Sequence, residues 1–559
     1  MEIEAKFAVP DDPTFEKLLS LESLGDYTLV PAGEQRITDH YVDTEGRDLL
    51  QSGHALRRRA RPEGGPELVT VKGLGSATGS VHRRRELEVE VPADAPPERW
   101  PEGAPRDFVM QMAHDKPLVE FLTLRQRRTT RDVVRSDHRI AVLSLDEVEF
   151  VDGATARELE IELAPEGDGA DLEQLEKLLE PYGLQPETRS KFERALALVD
   201  TSGDDGNHEG GDRPDLAQPE ASNAPDAPAR ARRRRRRGNG VGLRADDPML
   251  EAGRKILRLH WEKALAHEPG TIAGEDPEEL HDMRVATRRQ RAALRIIEPY
   301  CRKKFLRPVR DGLRSLGGTI GAVRDMDVLL AAAQAHQSSL AASEARGLQV
   351  LLKAWMRQRE ASRQRMMDHL RGQVHAVFKE QYTAFLDTPG AGARSEAVPK
   401  PTLVRHVLPF EVWAHYAALC AYEKMLPWAS VETLHALRIE GKRLRYLLEF
   451  FRELLDGTVE KPIRALVALQ DHLGEIQDCV VTIGLVEDFL KSAEGVADRE
   501  AAAASGRYRE ARRARIEELR RGLDAPWSGV TSAEFRTSLS RAVTDVQKQP
   551  PAKGSRTRG

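Results

Sequence analysis

MEIEAKF, residues 1–7, alternates acid and apolar, then small, basic and apolar side chains. With the two-residue period of a strand, Glu2, Glu4 and Lys6 fall on one face, and Ile3, Ala5 and Phe7 on the other. One such face alone reads as the solvated side of an edge strand. The pattern recurs, however. RRRELEVEV (83–91) sets Arg84, Glu86, Glu88 and Glu90 on one face, RELEIEL (157–163) sets Glu158, Glu160 and Glu162, and LSLDEVEF (143–150) adds Asp146. Against these acids stand basic strands: ALRRRA (55–60) with Arg57 and Arg59, TVKG (70–73) with Lys72, and LRQRRTTR (124–131). In the last, Arg125 and Arg127 share one face and Arg128 takes the other.

Several charged faces, split between acid-rich and base-rich strands, are expected to face one another. An antiparallel sheet curled into a barrel encloses both signs. Inward charges are costly unless they pair or meet a ligand. A polyanion bound together with cations meets that condition, because carboxylates hold Mg²⁺ or Mn²⁺ and Arg and Lys hold phosphate oxygens.

The same segments, with YVDT (41–44) and SKFERAL (190–196), resemble the CYTH domain, the triphosphate tunnel metalloenzymes, over residues 1–198. The resemblance implies an eight-stranded antiparallel tunnel that binds a triphosphate and a divalent metal. It implies metal-side acids at Glu2, Glu4, Asp146, Glu160 and Glu162, assisted by Glu86 and Glu88. It implies phosphate contacts at Lys6, Arg57, Arg59, Lys72, Arg84 and Lys191, with Glu4, Lys6 and Glu160 at the centre of the chemistry. In the 124–131 strand the register stays open between Arg125/Arg127 and Gln126/Arg128. Members of the family include inorganic, thiamine and RNA triphosphatases and class IV adenylate cyclases. Phosphoryl transfer asks for charge neutralisation and in-line positioning more than covalent catalysis, which suits these residue types. No P-loop or Ser-His-Asp pattern competes.

From residue 248 to 525 the pattern becomes helical, with apolar residues three and four apart. It is duplicated: HDMRVATRRQR (281–291) returns as HALRIEGKRLR (435–445), and IGAVRDMDV (320–328) returns as LGEIQDCVV (473–481). His281, Arg284, Arg288, Arg291 and Arg295 form one helix stripe, and His435, Arg438, Lys442 and Arg445 the other. Like charges four apart repel, and the stripes hold almost no acids, which favours a polyanion site over a solvated face. The repeat resembles the CHAD domain, which implies two four-helix bundles related by a pseudo-twofold axis and basic surfaces that bind inorganic polyphosphate. Gln477 stands where the first copy has Arg324, so the halves are not equivalent.

Residues 199–247, rich in Gly, Pro, Ala and Asp and carrying the run Arg232 to Arg237, read as a disordered linker, and 526–559 as a loose tail. The arginine run is expected either to solubilise or to add non-specific affinity for polyanions. At 559 residues the chain exceeds one core, and the order α+β then all-α is expected. With 31% charged residues, no long apolar run and three scattered cysteines, the expectation is a cytoplasmic protein without a membrane span, with polyphosphate granules as an expected place of association. A net charge of -5 argues against nucleic acid as a specific ligand. The expected activity is hydrolysis of inorganic triphosphate, with the CHAD domain binding polyphosphate. A nucleotidyl cyclase, an organic triphosphatase and a non-catalytic polyphosphate scaffold are the alternatives.

Overall fold

The computed structural model describes residues 2–60, 64–74, 77–78, 81–84, 86–114, 116–150, 153–201, 240–394 and 402–549. The chain divides into two compact units, Met1–Asn239 with Glu396–Pro401, and Gly240–Ser395 with Thr402–Gly559.

The strands of the first unit are β1 (Glu2–Ala8), β2 (Ser23–Leu24), β3 (Tyr27–Asp43), β4 (His54–Ala60), β5 (Glu67–Gly73), β6 (Ala77–Thr78), β7 (Val81–Arg84), β8 (Glu86–Val91), β9 (Val119–Arg135), β10 (His138–Glu149), β11 (Thr155–Leu163) and β12 (Gln185–Pro186). Its helices are α1 (Asp12–Leu19), α2 (Asp48–Gln51), α3 (Ala104–Ala113), α4 (Gly169–Leu179) and α5 (Lys191–Thr201). The sheet is antiparallel and runs β6-β7-β1-β11-β10-β9-β3-β4-β5-β8. β7 pairs with β1, and β8 with β5, while only residue 85 separates them in sequence. The hydrogen-bonded path is open, but the chain ties its two ends to within about 8 Å, twice the spacing of consecutive Cα atoms. Counted as one strand, β7 and β8 complete an eight-stranded tunnel wall.

Local chemistry fixes the register. β9 and β10 are joined by Ser136 and Asp137, with φ of 50° and 65°, the left-handed pair of a turn whose twist matches the strands it joins. Alternation then sends odd residues of β10 and β11 to one face and even residues to the other. Leu143, Leu145, Leu159 and Ile161 pack beneath Phe15 and Leu18 of α1 and Leu172, Leu175 and Leu179 of α4. The outer face is therefore the helix-covered apolar core, and the charges are left to the inner face.

The second unit is all helix: α6 (Met249–Ala273), α7 (Pro277–Ile297), α8 (Lys303–Ser338), α9 (Ala342–Arg371), α10 (Gln373–Asp387), α11 (Val404–Cys420), α12 (Val431–Phe450), α13 (Glu460–Lys491), α14 (Ala493–Ala497), α15 (Arg499–Arg521), α16 (Asp524–Thr531) and α17 (Ala533–Lys548). The sequence repeat is a structural repeat, α7–α8 matching α12–α13. The halves meet in a shared core built from α8, α9, α13 and α15, with Trp355, Phe489 and Tyr508 at its centre, and α7 touches α12.

Three expected boundaries are corrected. α5 runs to Thr201 rather than ending at 198. Residues 240–247 join the helical unit, where Glu453 accepts from the backbone N–H groups of Gly242 and Leu243. The tail expected from 526 is helical to 548: Phe535, Leu539, Ala542, Val543 and Val546, three and four apart, are buried along α17, which packs on α11 and α13. The Arg232–Arg237 run and residues 550–559 lie outside the described residues.

Candidate functional site

On the inner face of the first unit, opposite charges stand at ion-pair distance. Lys6 Nζ lies 3.0 Å from Glu4 Oε1 and 2.9 Å from Glu160 Oε1, as the β1–β11 register, which sets Lys6 opposite Glu160, requires. Arg128 forms a fork on Asp146, at 2.7 and 2.6 Å, and reaches Glu160 Oε2 at 2.5 Å. Arg59 forks on Asp39 at 2.7 and 2.9 Å, and Arg57 lies 3.8 Å from the same carboxylate. Arg57 also donates to Thr70 Oγ1, which donates in turn to Glu88 Oε1. Lys72 Nζ sits 2.5 Å from Glu86 Oε1.

The centre of the face is a three-carboxylate cluster. One oxygen from each of Asp146, Glu158 and Glu160 lies within 4.8 Å of the others, and all three residues are buried. Lys191, the first residue of α5, puts its Nζ among them, at 2.8 Å from Asp146, 3.0 Å from Glu158 and 2.7 Å from Glu160. Arg194, one turn on, also pairs with Glu158. Burial pushes the Glu160 carboxyl up, but Lys191, Lys6 and Arg128 outweigh it and hold the group well below its ordinary value. The mirror case is Lys191: burial opposes its charge, and Asp146 and Glu160 raise it nonetheless. Asp39, opposed by burial, is held low by Arg59 and Arg57. Three buried carboxylate oxygens already closed around a cationic head have the donor chemistry of a hard divalent ion.

The register left open in the sequence is resolved. Gln126 and Arg128 turn inward, whereas Arg125 is exposed on the opposite face and Arg127 pairs there with Glu147 at 2.7 Å. Arg125 and Arg127 are thus corrected as tunnel residues, since alternation cannot place them beside Arg128. Glu162 shares its face with Glu158 and Glu160 and stands opposite Glu4 in the register; it is exposed, and the three-carboxylate cluster is made by Asp146, Glu158 and Glu160. Glu86 and Glu88 lie on the inner face but outside that cluster, engaged by Lys72 and Thr70. Glu2 and Arg84 are paired in register, and their side chains lie outside the described residues. Asp39 and Arg194 were missed, though Asp39 alternates with Ile37 and Tyr41 and Arg194 follows Lys191 by three.

The helical unit carries the opposite pattern. α7 and α12 meet, and their stripes merge into one seam. Burial first, then the charges of Arg438, Arg288, Arg445 and Arg284, push the Lys442 ammonium down to about 8. Burial likewise lowers Arg438, against Asp478 and with Arg288. Arg295 is lowered by burial and by Arg443 of the other half. Among the described residues no carboxylate comes within ion-pair distance of Arg288, Arg291, Arg295, Arg438 or Lys442, and Arg438 Nε is buried without a hydrogen-bond partner. Arg284 pairs with Asp325, and Arg445 lies 3.6 Å from Glu449. Of the two histidines, His281 is half-buried, and His435 is exposed with Nδ1 2.6 Å from Gln477 Oε1.

Residues 1–196 match the CYTH domain family and residues 255–487 the CHAD domain family. The chain carries a CYTH domain followed by a CHAD domain. Among solved structures it is similar to the CHAD domain from the plant Ricinus communis, at 27% identity over 53% of this chain and 96% of that one, with a TM-score of 0.44. It is similar to a protein from Hippeastrum described as a putative adenylyl cyclase with dominant triphosphatase activity, at 21% identity over 35% of this chain and 96% of that one, TM-score 0.29. PptA from Streptomyces chartreusis matches at 15% identity over 50% of this chain and all of that one, TM-score 0.41. No helix among the described residues is long and apolar enough to cross a membrane.

Proposed function

We propose that the CYTH domain is a metal-dependent phosphoanhydride hydrolase whose substrate is inorganic triphosphate, cleaved to diphosphate and phosphate, and that the CHAD domain binds polyphosphate in the cytoplasm. The observation that carries this reading is the acid cluster of Asp146, Glu158 and Glu160 set beside Arg57, Arg59 and Arg128 on one buried face. Mg²⁺ or Mn²⁺ held by that cluster, with Glu4 close by through Lys6, would neutralise phosphate oxygens and polarise the attacked phosphorus. Arg57, Arg59 and Lys72 supply donors to phosphate oxygens, and their carboxylate partners keep them aimed before substrate arrives. With a cation held by the acids, Arg128 and Lys191 would be free to turn their charge to phosphate oxygens. The CYTH match supports phosphoanhydride hydrolysis in general.

In the CHAD domain the reading rests on the seam. Cations from both halves converge and outnumber the acids beside them, Asp325, Glu449 and Asp478, an arrangement whose cost falls when a polyanion fills it. The test is phosphate release from inorganic triphosphate, ATP and thiamine triphosphate with Mg²⁺ or Mn²⁺, with cyclic AMP assayed alongside. Fastest release from inorganic triphosphate is expected. Cyclic AMP as the main product would overturn the hydrolase reading, and absence of any turnover with intact polyphosphate binding would leave a scaffold.

A further inference from the structure

We infer that the seam of the helical domain continues into an arm on one side only: a polyphosphate longer than the seam runs out along α7 and α8 of the first half, and the second half stops it. This rests on the polyphosphate reading and gives the bound chain a direction. α7 and α8 run antiparallel, and three contacts set their register. A Cβ at Gly321 would lie 3.7 Å from Arg284 Nε, and one at Gly317 would lie 3.4 Å from Arg291 Nη1. Further out, Arg310 Nη2 lies 3.1 Å from Glu298 Oε1. Residues 310, 314, 317 and 321 recur three and four apart, so Arg314 shares that stripe and falls at the level of Arg295. Arg314 is exposed, and among the described residues neither it nor Arg295 has a carboxylate at ion-pair distance. The start of α8 then adds Arg302, Lys303, Lys304 and Arg307, all exposed, with Asp311 3.9 Å from Arg307 as the acid among them. At 1.5 Å per residue, the stretch from Gly321 back to Lys303 is a track of about 27 Å.

The second half matches this geometry near the seam and departs from it further out. A Cβ at Gly474 would lie 3.4 Å from Arg438 Nη2, the counterpart of Gly321 against Arg284. Beyond that level the chemistry reverses. Where α7 carries Arg295, α12 carries Glu449, and where α8 carries Arg307, Arg310 and Arg314, α13 carries Glu460, Ile463 and Val467. Glu449 holds Arg289 of the first half at 2.5 Å and lies 3.6 Å from Arg445. Glu460 forks on Arg452 at 2.5 and 2.6 Å, and Ile463 is buried. A phosphate chain that follows the second half meets a carboxylate and then hydrocarbon: the first repels it, and the second offers it no donor. A chain that follows the first half meets successive guanidiniums, which hold phosphate oxygens by charge-assisted hydrogen bonds. The seam is shared by both halves, and the arm belongs to one.

The experiment titrates the full-length protein, in EDTA so that no probe is hydrolysed, with tetraphosphate and with a linear polyphosphate of single length several times longer. Arg295→Ala with Arg314→Ala removes the arm from helix surfaces, where alanine is well tolerated. Affinity for the long chain is expected to fall about tenfold, and its log K against log salt slope to flatten by about 0.7–0.9 per cation. Affinity for tetraphosphate, which the seam alone holds, should stay within about twofold. The control pair Arg452→Ala with Arg464→Ala removes the same charge from the second half, at the positions matching Glu298 and Asp311, and should leave both probes within about twofold. Equal losses of long-chain affinity from the two pairs would mean that overall charge sets the binding, and would overturn the arm. An arm variant that binds the long chain like wild type, or that weakens both probes alike, would overturn it too. Arg288→Ala with Lys442→Ala tests the underlying reading and should weaken both probes. If it does while the arm variant changes nothing, the seam stands and the arm falls. If it weakens neither, the polyphosphate reading of the seam fails, and the arm with it.

Discussion

The two domains arrange their buried cations in opposite ways. In the tunnel every described inner cation is already matched: Lys6 with Glu4 and Glu160, Arg59 with Asp39, Arg128 with Asp146, Lys191 with three acids at once. In the helical seam Arg288, Arg438 and Lys442 have no carboxylate at ion-pair distance among the described residues, and burial with the neighbouring cations pushes the Lys442 ammonium down to about 8. A pre-paired face is rigid and selective, because an anion must arrive with a metal to replace what it breaks. An unpaired face is permissive, because any polyanion relieves it. Geometry for chemistry and affinity without chemistry thus call for different arrangements of the same residue types.

The sharpest break of this contrast is Glu160→Gln. It removes the shared partner of Lys6, Arg128 and Lys191, and turnover is expected to fall by about 10²–10³-fold in phosphate release. Leaving buried cations unmatched should also lower unfolding free energy by about 3–5 kcal/mol in denaturant titrations. The same group gives a pH term. Because its folded pKa is lowered from 4.5, the stability it contributes is present above that value and is lost as pH falls below it. Acid titration of the wild type should therefore unfold the tunnel in a step that Glu160→Gln weakens. Next in size, Asp39→Asn frees the Arg57 and Arg59 guanidiniums, and a rise in KM of about tenfold, one charge-assisted contact, is expected with kcat less affected.

In the seam the effects are graded and salt-dependent. Replacing Arg288 and Lys442 together by Ala should weaken polyphosphate binding about tenfold at moderate salt and flatten the log K against log salt plot by about 0.7–0.9 per cation, by analogy with nucleic acids. Lys442→Arg isolates the titration. The lowered pKa means Lys442 loses its proton as pH rises through about 8, so wild-type affinity should fall between roughly pH 7 and 9 while the arginine variant stays flat. Between about 8 and the ordinary value of 10.5 the unfolded chain holds more protons, so this group makes stability rise with pH, opposite in sense to a paired lysine. The smallest effect sharpens the comparison from the other side. Arg125→Ala and Arg127→Ala lie outside the tunnel, and triphosphate turnover should stay within about twofold. A larger loss would return them to the site.

How far the sequence carried is clearest at individual residues. The period-two alternation in EIEAKF and RELEIEL placed charge on one face, and the fold kept it there, because a one-residue slip would bury acids under α1 and α4. The duplication was plain at His281 and His435. What alternation could not say was which acids on a face converge. Glu158, Glu160 and Glu162 are equivalent on paper, and only where α5 begins decides that Lys191 meets the first two. The run of bases at 125–128 hides its register for a related reason: consecutive arginines fit either parity. Convergence of α7 with α12 is a contact across the repeat, beyond any local pattern. The amphipathic stripe of α17 was passed over, because the Gln, Pro and Lys that follow it read as a loose tail.

Lys191 has a consequence for how this protein comes into being. Many metal centres are cages of like charge that hold together only once the ion is in place, so that binding is folding and a chelator denatures them. Here one side chain of the same polypeptide stands in the cage, its Nζ within 3.0 Å of all three acids. The order of events is thereby freed: the domain can leave the ribosome, fold and persist in metal-poor surroundings, and be loaded later. Stripping divalent ions should silence the tunnel while leaving its melting temperature in place, which makes the metal a switch on a finished machine rather than a part of its assembly.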